Sequence, residues 1–142
     1  MNVPVVATGG IADARGVAAA LLLGASAVQI GTGLLRTPEA GIASPWADGI
    51  GAALPEDTVP TRAFSGRLGR SIRTAYTEAA ERGPTPAPYP IQRNITKAMR
   101  AGAIEIDKMQ AWAGQSAKLA RAEPATELIA NLWSEAEELL QS

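Results

Sequence analysis

The chain has 142 residues, enough for one modest domain, with a formal net charge of -1 and 19% charged residues. Lys and Arg are scattered, so the composition argues against a nucleic-acid or membrane-surface partner, each of which selects a basic stripe. Cys and His are both absent, which excludes disulfides, thiolate metal sites, a Cys nucleophile and the commonest general base at neutral pH. Acid–base work is left to carboxylates, Lys97, Lys108, Lys118, Tyr76 or Tyr89.

In chain order, Val3-Pro4-Val5-Val6-Ala7 reads as a strand buried on both faces, as in a parallel sheet. Pro4 fits its first positions, and Thr8-Gly9-Gly10 ends it. Asp13 caps a helix running to about Leu23, with Val17, Ala20 and Leu21 on one face and Gly24 at its end. Ala27-Val28-Gln29-Ile30 is a second strand, broken by Gly31-Thr32-Gly33. The first 33 residues thus spell a βαβ unit with a glycine turn at the C-terminal end of each strand.

The remainder is less regular. A helix is expected within Glu39–Ala53, with Pro45 near its start, and an extended segment over Thr58–Phe64. A further helix is expected over Arg67–Arg82, closed by Gly83, with Arg67, Arg70 and Arg73 as a stripe that is solvated or makes a subunit contact. Pro84 to Pro90 holds four prolines in seven residues and reads as loop. Helical segments follow at about Gln92–Ala101 and Gln115–Arg121. In the last helix, begun at Pro124, Leu128, Leu132, Ala136, Leu139 and Leu140 recur at helical spacing. The Glu135, Glu137 and Glu138 cluster reads as a solvated face. No targeting segment is visible, and Val17–Ile30, the longest apolar stretch, is interrupted by Gly24 and Ser26 and too short to span a bilayer. A soluble, cytoplasmic protein without a metal site is expected.

Two apolar parallel strands ask for a larger core than this chain can supply, which suggests part of a larger α/β fold, of marginal stability alone. Two glycine turns at the same end of adjacent parallel strands form a phosphate-binding arrangement. Gly permits close backbone approach, and free amides hold the anion. In (β/α)8 barrels that site lies after strands seven and eight. A dinucleotide fingerprint fails on spacing, because the first turn reads Gly9-Gly10-Ile11-Ala12-Asp13-Ala14-Arg15-Gly16. A Walker loop fails for want of Gly-Lys-Ser/Thr.

The run from Val3 through Thr8-Gly9-Gly10-Ile11-Ala12-Asp13 to Gly16, followed by Leu23 to Thr32, resembles the seventh- and eighth-strand region of nitronate monooxygenases. Ser65-Gly66-Arg67, Tyr89-Pro90 with Thr96-Lys97, and Trp112-Ala113-Gly114-Gln115 resemble the C-terminal part of that family's bacterial class. The glycine motifs alone are shared with other FMN barrels, including an enoyl-reductase branch. The resemblance implies the C-terminal portion of an FMN-binding (β/α)8 TIM barrel. Residues 1–36 would form a strand 7/helix/strand 8 phosphate-binding unit, and residues 37–142 a mainly helical region, within one partial domain.

It further implies FMN held at Gly9, Gly10, Gln29, Ile30, Gly31 and Thr32, largely through backbone amides, and Tyr89 and Lys97 on the substrate side. A cation there would suit an anionic nitronate. Trp112 and Gln115 are expected to serve packing and loop geometry. The family's catalytic base is a histidine on an earlier strand, and this chain has none. No catalytic residue is therefore assigned, Met1 reads as an internal start, a truncated gene or an imposed boundary, and negligible turnover is expected of the chain alone. The intact family would oxidise alkyl nitronates with dioxygen to a carbonyl compound and nitrite. Two other readings remain open: a non-catalytic FMN- or phosphate-binding half-barrel that assembles with a partner, and part of a flavin-dependent enoyl or quinone reductase. The oligomeric state is also open.

Overall fold

The computed structural model describes residues 3–141. Strand β1 (Val6–Thr8), helix α1 (Ala14–Leu22) and strand β2 (Ala27–Gln29) form the expected βαβ unit. The strands pair in parallel with Val6 opposite Ala27, Ala7 opposite Val28 and Thr8 opposite Gln29. Asp13 is the N-cap of α1, and its Oδ1 accepts from the Gly16 amide at 2.9 Å. That amide holds the Asp13 carboxyl below the usual carboxylate range; partial burial opposes the shift and Arg15 reinforces it. At the other end of α1, Ala25 N–H returns to the Ala20 carbonyl at 3.0 Å, with Gly24 left-handed at φ 97°.

The expectation of strands buried on both faces is corrected. Val3, Val5 and Val6 are exposed, and β1 and β2 form a sheet of only two strands. Each strand therefore keeps an open outer edge among the described residues. Apolar sequence specifies what a strand tolerates, while burial requires neighbours to supply it.

Helix α6 (Ala125–Gln141) lies on α1. Leu128, Leu132 and Ala136 are buried, and Ala136 joins Ala14, Val17 and Ala18 in one small core. Leu140 packs partly against it, whereas Leu139 stays exposed. Glu39 fixes the start of α6: both its carboxylate oxygens accept from the Ala125 amide, at 3.1 and 3.0 Å. That contact draws the Glu39 pKa down. A carboxylate on a helix's first free amide satisfies an orphan donor and favours the positive end of the dipole.

The second core lies under α2 (Ser44–Ala52), with Pro45 in its first turn as expected. Ile50, Ala53, Ile72, Met109, Ala111, Ala113, Ala117 and Ala120 make it up. Its other wall corrects the helix expected over Arg67–Arg82. That stretch divides into β4 (Gly69–Ile72), antiparallel to β3 (Thr58–Thr61), and α3 (Ala75–Arg82). Tertiary pairing overrides the three-residue Arg spacing. Ile72 N–H donates to Ala111 O at 2.9 Å, Ala113 N–H donates to Arg70 O at 3.1 Å, and the buried Ser71 hydroxyl donates to Ala111 O. Arg70 reaches across the hairpin to Thr58 rather than joining a solvated helical stripe. Thr74 then opens α3 by accepting from Thr77 N–H, while the Thr77 hydroxyl oxygen accepts from Thr74 N–H.

The proline-rich segment is irregular as expected, with a cis Tyr89–Pro90 bond. The helix expected over Gln92–Ala101 is divided at Thr96 into α4 (Ile91–Ile95) and α5 (Lys97–Ala101). The segment expected at Gln115–Arg121 contracts to a single 3-10 turn, Ala117–Leu119. No helix among the described residues is long and apolar enough to cross a membrane.

Candidate functional site

Parallel pairing of β1 and β2 brings both glycine turns to one end of the sheet. Thr8 Oγ1 donates to Gln29 O at 3.2 Å, tying the strands together just before the chain turns away. Gly9 and Gly10 follow with φ 88° and 74°, a pair of left-handed conformations that L side chains rarely adopt. A Cβ at Gly9, Gly10 or Gly31 would meet nothing within 4 Å, so space is open beside both turns. The turns themselves are packed together: a Cβ at Gly33 would lie 2.8 Å from Ile30 Cγ2 and 3.1 Å from the Ala12 Cβ.

Gln29 and Gly31 are exposed, while Ile30 and Thr32 are half-buried. Ile30 also packs partly into the α1/α6 core. The Thr32 hydroxyl oxygen accepts from the Gly114 amide at 2.9 Å, across 82 residues of sequence. Because the oxygen is already an acceptor, the hydroxyl hydrogen is left to donate elsewhere.

This bond joins the second glycine turn to the Trp112–Gln115 segment. Trp46 Nε1 donates to Trp112 O at 3.1 Å, holding that segment from the α2 side. The Trp112 ring stands edge-on to Phe64, centroids 5.8 Å apart at 82°, and a Cβ at Gly69 would meet its six-membered ring at 3.0 Å. Phe64 is fully buried and also packs against Tyr76 at 5.1 Å. Burial raises the Tyr76 phenol pKa, and its protonated hydroxyl donates to Ala63 O at 3.2 Å.

Around Phe64 gather the downstream motifs singled out in the sequence. Gln92 Nε2 donates to Ala63 O at 2.6 Å, and the Thr96 hydroxyl donates to Phe64 O at 2.7 Å. Gly66 is left-handed at φ 82°, and a Cβ there would overlap the Ala87 carbonyl and sit 2.6 Å from Tyr89 N. Ser65-Gly66-Arg67 and Tyr89-Pro90 are therefore pressed together. The Arg67 guanidinium lies 4.1 Å from the Tyr89 ring centroid.

Of the expected site residues, Gly9, Gly10, Gln29, Ile30, Gly31 and Thr32 share one end of the sheet. Tyr89 and Lys97 lie instead on the Phe64 hub and its flank. Lys97 is exposed beside a cleft with Pro90, Arg93 and Arg100, while Tyr89 lies under Arg67. Trp112–Gly114 connects the two groups. The sequence reading missed the Thr32–Gly114 bond, the Arg67–Tyr89 stack and the role of Glu39. Only the Trp-Ala-Gly-Gln run offered a signal for the first, and spacing offered none for the others. No group of three or more His, Cys, Asp or Glu able to hold a metal occurs among the described residues.

The family model for nitronate monooxygenase matches residues 1–135. The chain belongs to the nitronate monooxygenase family. Probable nitronate monooxygenases of Staphylococcus aureus strains MSSA476 and Newman are 36% and 37% identical to it over 145 aligned residues. These cover 99% of this chain and 41% of the relatives, so the chain spans about two fifths of their length. Among solved structures, nitroalkane oxidase from Streptomyces ansochromogenes superposes with a TM-score of 0.88 at 38% identity, covering 97% of this chain and 40% of that one. FabK from Thermotoga maritima superposes with a TM-score of 0.79 at 31% identity, covering 99% and 46%.

Proposed function

We propose that the chain is the C-terminal, phosphate-cradling part of an FMN-dependent nitronate monooxygenase, with β1 and β2 as strands seven and eight of its (β/α)8 barrel. The observation carrying this reading is the coincidence of two glycine turns at one end of a parallel pair, open beside Gly9, Gly10 and Gly31. That geometry fits a flavin phosphate, because only glycine leaves room for the anion to approach backbone amides. Gly9, Gly10, Gly31 and Thr32 would hold the phosphate, with the Thr32 hydroxyl hydrogen available to donate to it. Gln29 and Ile30 would border the remainder of the cofactor.

When bound, the flavin supplies the redox chemistry by which an alkyl nitronate and dioxygen are converted to a carbonyl compound and nitrite. The chain's own residues bind and orient. The Gly114 amide donates to the Thr32 oxygen and leaves the hydroxyl hydrogen available, and Trp112 lies between the glycine turns and the Phe64 hub. Lys97 offers a positive charge, and Tyr89 an apolar wall backed by Arg67, to an anionic substrate. No residue here is assigned the proton-abstracting role. The chain works in a reducing, cytoplasmic setting.

The test compares FMN with riboflavin in binding to the purified chain. A phosphate cradle predicts that FMN binds at least roughly tenfold more tightly, since charge-assisted hydrogen bonds are lost with the phosphate. Equal affinities would remove the phosphate from the site.

A flavin-dependent reductase is the second reading, supported by the 31% identity to FabK. Joined to the remainder of the fold, a monooxygenase consumes dioxygen with a nitronate, whereas a reductase oxidises NAD(P)H with an enoyl thioester or quinone. The exposed edges of β1 and β2 favour assembly with further (β/α) structure in either case.

A further inference from the structure

The chain leaving the second glycine turn carries a cation without a counter-ion. Gly31 caps a 3-10 turn, Thr32–Leu34, in which Leu34 N–H donates to Gly31 O at 3.0 Å and Leu35 N–H to Thr32 O at 3.1 Å. Two residues beyond it, the half-buried Arg36 donates from Nη1 to Ala120 O at 3.0 Å, across 84 residues of sequence. The ion pairs found among the described residues, Arg15–Asp13 and Arg121–Glu123, lie elsewhere. The Arg36 Nε is buried and meets no acceptor among the described residues.

The guanidinium is pressed onto the last turn of α2. A Cβ at Gly51 would lie 2.5 Å from Arg36 Cζ, 2.7 Å from Nη1 and 2.8 Å from Nη2, so a residue with a side chain has no room there. Lys118 Nζ comes to the same place and donates to Gly51 O at 3.1 Å. Both cations stand at the C-terminal end of α2, where free carbonyls carry the negative end of the helix dipole. That field favours the charge of Arg36, and the bond to Ala120 O gives the side chain its direction.

Arg36 and Thr32 together form a clasp. Thr32 Oγ1 accepts from Gly114 N–H and Arg36 donates to Ala120 O, so residues 32–36 are tied to both ends of residues 114–120. The clasped segment is itself stiff: Ala117 N–H returns to Gly114 O, Ala120 N–H returns to Ala117 O, and Ala117 and Ala120 are buried in the second core. One tie leaves the turn free to pivot about Thr32, whereas two fix its direction. A buried guanidinium with an unmatched donor is a poor stabiliser, and an apolar side chain of similar volume would pack as well. What the planar, oriented head group adds is geometry.

We propose that Arg36 is the positioning residue of the second glycine turn, fixing the direction of the Gly31–Thr32 backbone through Ala120 and Gly51. The ligand that this backbone meets rests on the phosphate reading above; the positioning itself rests on the two ties.

The test uses Arg36→Met, Arg36→Lys and Gly51→Ala in the whole chain. Amide hydrogen exchange is followed at Leu34 and Leu35, whose bonds close the turn, and at the buried Leu132 of α6 as the measure of global opening. Binding of FMN and of riboflavin is measured alongside. In Arg36→Met, exchange at Leu34 and Leu35 should quicken about tenfold while Leu132 keeps the parent rate, the effect of losing one charge-assisted hydrogen bond locally. FMN affinity should fall about tenfold and riboflavin affinity hold, a split that a merely structural arginine would not produce. Arg36→Lys should recover most of both effects, because an ammonium can still donate to Ala120 O. Gly51→Ala should reproduce the losses by displacing the guanidinium, and should add nothing in the Arg36→Met background. Equal acceleration at Leu34, Leu35 and Leu132 would make Arg36 a general prop of the fold and overturn the proposal. So would unaltered exchange at the turn, or equal losses of FMN and riboflavin affinity. A parent chain that binds FMN and riboflavin equally would remove the phosphate reading, while exchange at Leu34 and Leu35 would still decide the role of Arg36, so the two fail separately.

Discussion

Thr32→Val is the substitution that tests most closely how the glycine turn is held. Valine keeps the shape of threonine and removes the oxygen that accepts from Gly114 N–H at 2.9 Å. The bond is partly buried, so the amide is left with incomplete access to water. Losing the acceptor of a buried donor costs about 1–3 kcal/mol, and partial exposure places this case near the lower end. For a chain of this size about 1–2 kcal/mol corresponds to a fall of roughly 3–6 °C in Tm. Thermal unfolding by circular dichroism measures the fall, and hydrogen exchange at the Gly114 amide locates it. Thr32→Ser should retain most of the stability and most of the protection. Unchanged Tm and unchanged Gly114 exchange in Thr32→Val would refute the link between the turn and the Trp112–Gly114 segment.

Other perturbations follow from the same contacts. Glu39 has a lowered pKa in the folded chain, so its contribution is present above its unfolded value and fades as pH falls through the folded one. In Glu39→Gln, the difference in Tm from the parent should be present at neutral pH and vanish in acid; a constant difference would contradict the capping role. Leu128→Ala empties a buried position on α6 and should cost about 2–5 kcal/mol in urea denaturation. Gly66→Ala combines a left-handed φ with overlap on Ala87 and Tyr89, and should disrupt the hub enough to abolish cooperative unfolding. Purified chain given an alkyl nitronate, FMN and dioxygen should release no measurable nitrite; sustained release would contradict the proposal that these residues bind and orient without carrying turnover by themselves.

The βαβ unit was legible because every level agrees there. Apolar runs, the Asp13 cap, Gly24 and both glycine turns all point to one local structure. The final helix was legible for the same reason, through the spacing of Leu128, Leu132 and Ala136. Between them, long-range pairing decides. Gly69–Ile72 is a strand because β3, Ala111 and Ala113 offer it hydrogen bonds, although Arg67, Arg70 and Arg73 repeat every three residues across it. At Thr96 the hydroxyl donates to Phe64 O and accepts from Arg100 at the point where α4 gives way to α5. No local pattern announces partners 32 residues away. At the candidate site, the residue types of the two glycine turns could be read from sequence, while the Gly114 contact to Thr32 and the Arg67 stack on Tyr89 could not.

A flavin phosphate cradle at the two glycine turns is tested most directly by titration of the purified chain with FMN, followed by flavin fluorescence alongside circular dichroism. Saturable binding to a folded chain, weakened by bulky replacement of Gly10 or Gly31, is the predicted result. A folded chain that binds no FMN, or binds it equally well after those replacements, would contradict it.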